Sequence, residues 1–237
     1  MIFASIHIKE KIKVLTLILC LVSCAVATAQ EYRYELGGMA GASMYMGDAN
    51  QSSLTKGWNP AGGVVFRNNL NFRWAIKANL LMGKVSGNTA NFDNVYPNKT
   101  QISFDRMFYE LGGHIEFNFL PYSDKYSYLG TSKISPYLLT GLGLTMAPGD
   151  GRTFFGINFP LGIGVKYKLK NKLNIGAEFV SHRLFSDSFD ARSYGDITLE
   201  DPYSIKSGIF KNKDWYNTFL ISITWEFGIR DYRCIGD

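Results

Sequence analysis

The sequence predicts an all-β protein, an eight-stranded antiparallel transmembrane β-barrel of the outer-membrane type, and three observations lead there. Apolar and polar residues alternate with period two over long segments, as they do in strands whose two faces meet different surroundings. Those segments run for roughly 9–15 residues, the reach of a tilted membrane strand, whereas soluble strands average about 5–6. One face gathers aromatics near the segment ends while the other carries charge in mid-strand, the reverse of a sandwich around a single apolar core.

The elements follow in order. Phe72–Met82 shows the clearest alternation: Phe72, Trp74, Ile76, Ala78, Leu80 and Met82 share one face, and Arg73, Ala75, Lys77 and Asn79 the other. In Phe104–Phe119, Met107, Tyr109, Leu111, Ile115, Phe117 and Phe119 oppose Arg106, Glu110, Gly112, His114, Glu116 and Asn118. Phe155–Tyr167 sets Phe155, Ile157, Phe159, Leu161, Ile163 and Val165 against a face with three glycines, Pro160 and Lys166. Leu173–Ser181 and Trp215–Phe227 repeat the pattern, with Glu178 and Glu226 on their polar faces. Tyr32–Gly47, Ala61–Arg67 and Pro136–Met146 alternate less cleanly and bring the set to eight. Backbone groups in lipid must pair within the protein, so such strands have to close into a barrel. Pro160 lacks a ladder donor and marks a bulge or a local gap.

Composition agrees with this reading. Of 237 residues, 15% are aromatic, 24 are glycine and 19% are charged, against about 25% charged in soluble domains. The one long apolar run is at the N-terminus, where Lys9, Lys11 and Lys13 precede Val14–Val22 and Ala27-Thr28-Ala29. This is the plan of a cleavable signal peptide over residues 1–29, leaving residues 30–237 as the barrel domain. Leu21-Val22-Ser23-Cys24 also fits a lipobox, with Cys24 lipidated instead. Removal of residues 1–29 lowers the net charge from +5 to +3, too little for a nucleic-acid binder. It also leaves Cys234 as the lone cysteine, so no internal disulfide forms and no Cys/His metal spacing exists. No cofactor or small-molecule substrate is expected.

With an even strand number both termini lie on one side, expected to be the periplasm. Arg67–Asn71 and Leu169–Lys172 are then tight periplasmic turns, and Pro121–Ser135 is a long linker on the same side. The external loops fall at about Asp48–Asn59, Val85–Ile102, Pro148–Arg152 and Ser186–Asp214.

An eight-stranded barrel is just wide enough for side chains to fill it. The inward face is expected to hold Arg33, Arg67, Arg73, Lys77, Arg106 and Lys166 against Glu35, Glu110, Glu116, Glu178 and Glu226. Mixed signs suit a paired network, here assigned to Arg73, Lys77, Glu110, His114, Glu116, Lys166, Glu178 and Glu226. A selective pore would be lined by one sign. A catalytic alternative uses His182 at the outer rim with Ser181, Ser186 or Asp187 as an acyl-transfer group. Ser181 and His182 point to opposite faces of their strand, which is poor geometry for proton transfer. The expectation is therefore that the protein is not an enzyme.

Several segments resemble one family. They are Glu35-Leu36-Gly37-Gly38, Ser43-x-Tyr45-x-Gly47-Asp48, Arg73-Trp74-Ala75-Ile76-Lys77, Glu116-Phe117-Asn118-Phe119-Leu120-Pro121-Tyr122, Tyr128-Leu129-Gly130-Thr131, Ser135-Pro136-Tyr137-Leu138, Gly162-Ile163-Gly164-Val165-Lys166-Tyr167 and Phe185-Ser186-Asp187. In that order they resemble the PorG-like outer-membrane barrel subunit of the Bacteroidota type IX secretion system, a DUF6089-type outer-membrane protein. The resemblance covers nearly the whole mature chain. It implies a role in protein secretion and, in some members, gliding motility, with association to a periplasmic ring formed by a lipoprotein and its partner. It implies no catalytic residues. The stretch Ser188-Phe189-Asp190-Ala191-Arg192 departs from the paired acidic residues of the family pattern, so a paralogue with another role stays open. Other roles for such a barrel are a lipid-modifying acyl-transfer enzyme, a minor pore or an adhesin. For an anchor, the candidate partner contact is Tyr122, Asp124, Lys125, Tyr126, Tyr128 and Lys133 in the linker, with Cys234 in the tail. The bland alternative is a linker that folds over the barrel mouth.

Overall fold

The computed structural model describes residues 32–46, 57–88, 103–124, 128, 130–148, 153–169, 172–185, 193–194, 197–198 and 215–229. The expected signal peptide and lipobox, most of the external loops, Lys125, Tyr126 and Cys234 lie outside the described residues. The long strands are β1 (Tyr32–Met46), β2 (Asn59–Asn69), β3 (Trp74–Asn88), β4 (Ser103–Asn118), β5 (Ile134–Ala147), β6 (Phe154–Lys168), β7 (Leu173–Leu184) and β10 (Trp215–Ile229). The two-residue strands β8 (Ser193–Tyr194) and β9 (Ile197–Thr198) pair only with each other.

The long strands form a closed barrel in the order β1-β10-β7-β6-β5-β4-β3-β2, every neighbour antiparallel. The first and last strands, β1 and β10, close it through a ladder from Tyr32↔Ile229 to Met46↔Trp215. The barrel therefore has a terminal end, where β1 starts and β10 finishes, and a loop end opposite.

Its surface is inverted relative to a soluble protein. Leu36, Val64, Leu80, Leu111, Leu142, Leu161, Ile163 and Ile223 face outward and are exposed, while Glu35, Lys77, Glu110 and Glu116 between them are buried. This is the partition expected of a sheet whose outside solvent is hydrocarbon. Aromatics line the outer surface near the terminal end: Tyr34 meets Phe66 and Phe227 at 5.8 and 5.6 Å, and Trp74 meets Phe117 at 4.8 Å.

Two local features differ from the expectation, and a third decides between its alternatives. Phe72 is not a lipid-facing strand residue but is buried in the turn before β3. There Leu70 and Asn71 amides donate to the Trp74 carbonyl, and Asn71 Oδ1 accepts from the Arg73 and Trp74 amides. The Asn71 side chain thus imposes the turn and delays the strand by two residues. At the loop end β3 runs on to Asn88 and pairs with β4 as far as Ser103. Its outward residues there are Lys84 and Ser86, so the apolar alternation stops while the ladder continues. At Pro160 the β5–β6 ladder has a gap: Thr140↔Leu161 and Gly143↔Asn158 keep one register with no bulge, and Thr140 Oγ1 donates to the Pro160 carbonyl.

Glycines allow the strands to bend so tightly. A Cβ on Gly141 would lie 2.0 Å from the Gly113 carbonyl oxygen of β4. Gly112 and Gly143 pair across β4 and β5, and the side chains of Asn79 and Asn158 occupy the space where their Cβ atoms would be.

Candidate functional site

Among the described residues the buried charge lies in the lumen, in clusters toward its two ends. Toward the terminal end, Glu116 Oε2 accepts from Arg67 Nε at 2.8 Å and Lys166 Nζ at 2.7 Å. Arg67 also donates to Glu35 at 2.6 Å, and Glu35 accepts further from Asn69 and Thr224. Lys77 donates to both oxygens of Glu178 at 2.8 Å, and the Tyr137 hydroxyl adds a third bond at 2.8 Å. Lys168 pairs with Glu226, which also accepts from Asn174. Each of these residues alternates inward on its strand, so closing the sheet brings opposite strands together across a narrow interior.

A second cluster lies nearer the loop end. Glu110 accepts from Tyr216, from Asn158 at 3.2 Å and from Asn79 at 3.3 Å. His182 Nδ1 lies 2.9 Å from Glu110 Oε2, within ion-pair distance though not aligned as a hydrogen bond. Its Nε2 is 3.2 Å from Thr218 Oγ1, and its ring stacks on Tyr216 at 4.4 Å. His114 is buried in the lumen and makes no hydrogen bond from either ring nitrogen.

Of the expected lumen network, Lys77, Glu110, His114, Glu116, Lys166, Glu178 and Glu226 are all buried inside the barrel. Arg73 is not among them. It is exposed on the terminal rim, where its Nη1 donates to the Phe119 carbonyl at 2.8 Å, because the Asn71 turn holds it outside the strand. Arg33 is also on that rim and bonds Asn68. Lys168, which the sequence reading left beside a turn, joins the interior instead. Among the described residues the buried charges are Arg67, Lys77, Arg106, Lys166 and Lys168 against Glu35, Glu110, Glu116, Glu178 and Glu226, an even balance.

Both ends of the lumen are filled. Toward the loop end an apolar cluster inside the barrel includes Tyr45, Val85, Phe108, Phe154 and Leu184. Sequence reasoning passed over these because they stand on strand faces otherwise marked as polar. At the terminal end the linker turns back into the mouth. The Tyr122 amide donates to the Phe72 carbonyl, Ser123 and Ser132 bond across the linker, and the Tyr122 ring is fully buried. Lys168 and Lys166 ammoniums sit 4.7 and 5.4 Å from that ring's centre. Tyr122 is therefore no surface contact; it anchors the linker. Asp124, Tyr128 and Lys133 are exposed.

The rim constellation of His182 also differs from expectation, since His182 faces the lumen and is buried. Ser181 faces outward, and Ser186 and Asp187 lie outside the described residues. Thr218, His182 and Glu110 do follow the order hydroxyl, imidazole, carboxylate of a nucleophilic triad. Thr218 is fully buried, and the imidazole beside it is stacked on Tyr216, which packs in turn against Phe108. Among the described residues no cluster of three or more His, Cys, Asp or Glu is placed to hold a metal ion.

An inverted surface, an aromatic girdle and a lumen packed with paired charge define a membrane-spanning β-barrel with a filled interior. Within that class, the chain belongs to the family described as domain of unknown function (DUF6089), whose model matches residues 12–236. No curated protein matches it. Among solved structures it is similar to Neisserial surface protein A, at 13% identity and a TM-score of 0.49, covering 82% of this chain and 97% of that one. It is similar also to Ail of Yersinia pestis in complex with sucrose octasulfate, at 12% identity, 84% and 100% coverage and a TM-score of 0.44. The outer membrane protein OprG of Pseudomonas aeruginosa gives 11% identity, 84% and 98% coverage and a TM-score of 0.44.

Proposed function

We propose that the protein is a non-catalytic outer-membrane barrel of a type IX secretion system, held in the membrane by its sheet and associated with periplasmic ring proteins through its terminal end. The observation that carries this reading is the lumen. Among the described residues it is filled by paired charge in the middle, an apolar cluster at one end and Tyr122 at the other, which supports a structural role over a channel or an enzyme. Function is then left to the rims. The resemblance of ordered segments from Glu35 to Asp187 supplies the secretion system and, with it, the periplasmic orientation of the terminal end.

The linker suits an anchor because Tyr122 fixes its start inside the barrel while Asp124, Tyr128 and Lys133 remain exposed beyond it. Tyrosine is enriched at protein interfaces, where it brings contact area at low entropic cost. The contact would be completed by Lys125, Tyr126 and Cys234, which lie outside the described residues.

Deletion of Lys125–Thr131, joined by a short glycine-containing turn, tests this directly. The barrel is expected to assemble, while co-purification of ring proteins and export of cargo are lost. Deletion of Ile197–Gly208 from the last external loop is expected to disturb ring association much less. Retention of the ring by the linker variant, with loss in the loop variant, would overturn either the orientation or the contact.

A further inference from the structure

Each strand that rises from the terminal end carries a cation near its start. Arg73-Trp74 at β3, Lys133-Ile134 at β5 and Lys172-Leu173 at β7 place it just before the strand's first apolar residue, and Arg33-Tyr34 places it one residue into β1, after Tyr32. All four cations are exposed. Because the barrel order alternates rising and falling strands, β1, β7, β5 and β3 are every second strand around the wall. The four cations therefore stand one to a quadrant.

Backbone and side-chain bonds tie each of them to a neighbouring strand. Arg33 bonds Asn68 of β2, and its guanidinium lies 5.3 Å from the Tyr34 ring centre. Arg73 bonds the Phe119 carbonyl beyond β4. Lys133 accepts the Lys168 amide of β6 at its carbonyl, and Lys172 accepts the Glu226 amide of β10. Among the described residues the exposed carboxylate at this end is Asp124, one against four. Among the described residues the loop end shows no such ring: Lys84 is paired with Asp105 at 2.7 Å, Arg183 is half-buried and Arg106 is buried.

We propose that Arg33, Arg73, Lys133 and Lys172 form a basic collar that binds the phosphates of anionic phospholipid headgroups in the leaflet around the terminal end. The distribution selects the partner. A protein docks on one side of a barrel, whereas a bilayer surrounds it, and here the charge surrounds it too. The level is also that of headgroups, since each cation sits one residue outside an aromatic or aliphatic side chain at the hydrocarbon boundary. A cation beside an anionic membrane surface gains about 1 kcal/mol, roughly a fivefold preference each when fully expressed and less when screened.

The test needs no secretion partner, so its outcome is independent of the proposed function. The folded protein is reconstituted in phosphatidylcholine vesicles, and the association of spin-labelled phosphatidylglycerol is compared with that of spin-labelled phosphatidylcholine by electron paramagnetic resonance. At low salt, phosphatidylglycerol is expected to be favoured about threefold or more, falling toward equality at about 1 M salt, where the Debye length is near 3 Å. The R33Q/R73Q/K133Q/K172Q variant is expected to lose the preference, and K84Q to keep it. If the quadruple variant does not fold, the R33Q/R73Q and K133Q/K172Q pairs are each expected to lose about half of it. No preference in the unaltered protein, which would leave the collar to an acidic protein surface, overturns the proposal. So does a preference that survives the collar variants.

Discussion

Glu116 is the most exacting place to test the filled lumen. It is fully buried and serves two cations, Arg67 at 2.8 Å and Lys166 at 2.7 Å. Glutamine preserves its shape and one acceptor oxygen but removes the charge. Arg67 then keeps Glu35 at 2.6 Å, whereas Lys166 loses the carboxylate that neutralises it and retains the faces of Tyr137 and Tyr122. Leaving one charge of a buried pair uncompensated costs about 3–5 kcal/mol, so Glu116→Gln is expected to lower unfolding stability by about that amount. Adding Lys166→Met removes the orphaned charge and fills its space. The double variant should be more stable than Glu116→Gln alone, with a coupling energy of about 2 kcal/mol or more. The exposed Lys84–Asp105 pair is the internal control, since Lys84→Met should cost no more than about 1 kcal/mol. The assay is reversible urea unfolding of the folded protein in vesicles, followed by tryptophan fluorescence. A Glu116→Gln cost below about 1 kcal/mol, or no coupling with Lys166, would mean that water solvates these charges and that the lumen is not sealed.

Other consequences can be checked with the same material. Gly141→Ala forces a Cβ against the Gly113 carbonyl and is expected to cost about 1–3 kcal/mol or to block folding, read from the heat-modifiable gel shift. Burial holds the Tyr122 phenol well above its ordinary range, and the charge of Glu35 pushes the same way. The folded protein thus keeps this proton longer than the unfolded chain does, and the contribution fades as pH rises past the unfolded value of about 10. Tyr122→Phe should therefore weaken the alkaline loss of stability, and near neutral pH it should be neutral or stabilising by about 1 kcal/mol, because the buried hydroxyl has no hydrogen-bond partner. Planar-bilayer recordings of the purified protein should show negligible conductance; steady ion-selective channels would contradict a lumen closed by Tyr122 and the Phe108 cluster.

The barrel is legible in the sequence because its determinants are local. Alternation along β3, β4, β6, β7 and β10 assigns each side chain to a face through the backbone alone. Parity also put Lys77, Glu110, Glu116, Lys166 and Glu178 on one surface, and extending it by one step past Lys166 would have reached Lys168. What parity does not contain is depth and partnership. Glu116 with Arg67 and Lys166, and Lys77 with Glu178, lie 49 to 101 residues apart and meet only when the sheet closes. Arg73 has the right parity for the interior, yet the Asn71 turn leaves it on the rim. His182 resembled a rim residue while its place in the sequence was the only guide; pairing with Tyr216 and Pro160 carries β7 further and sets the ring inside. The linker could equally have been a docking surface or a lid, and tertiary contact divided it: Tyr122 enters the mouth over Lys166 and Lys168, while Asp124 and Tyr128 stay outside. The sequence by itself determined the long strands, their faces and most of the charge to be buried, because these follow from the two-residue period of a strand. Only the closed barrel decided which charges pair and what seals the ends, because those contacts join strands distant in the chain across one narrow lumen.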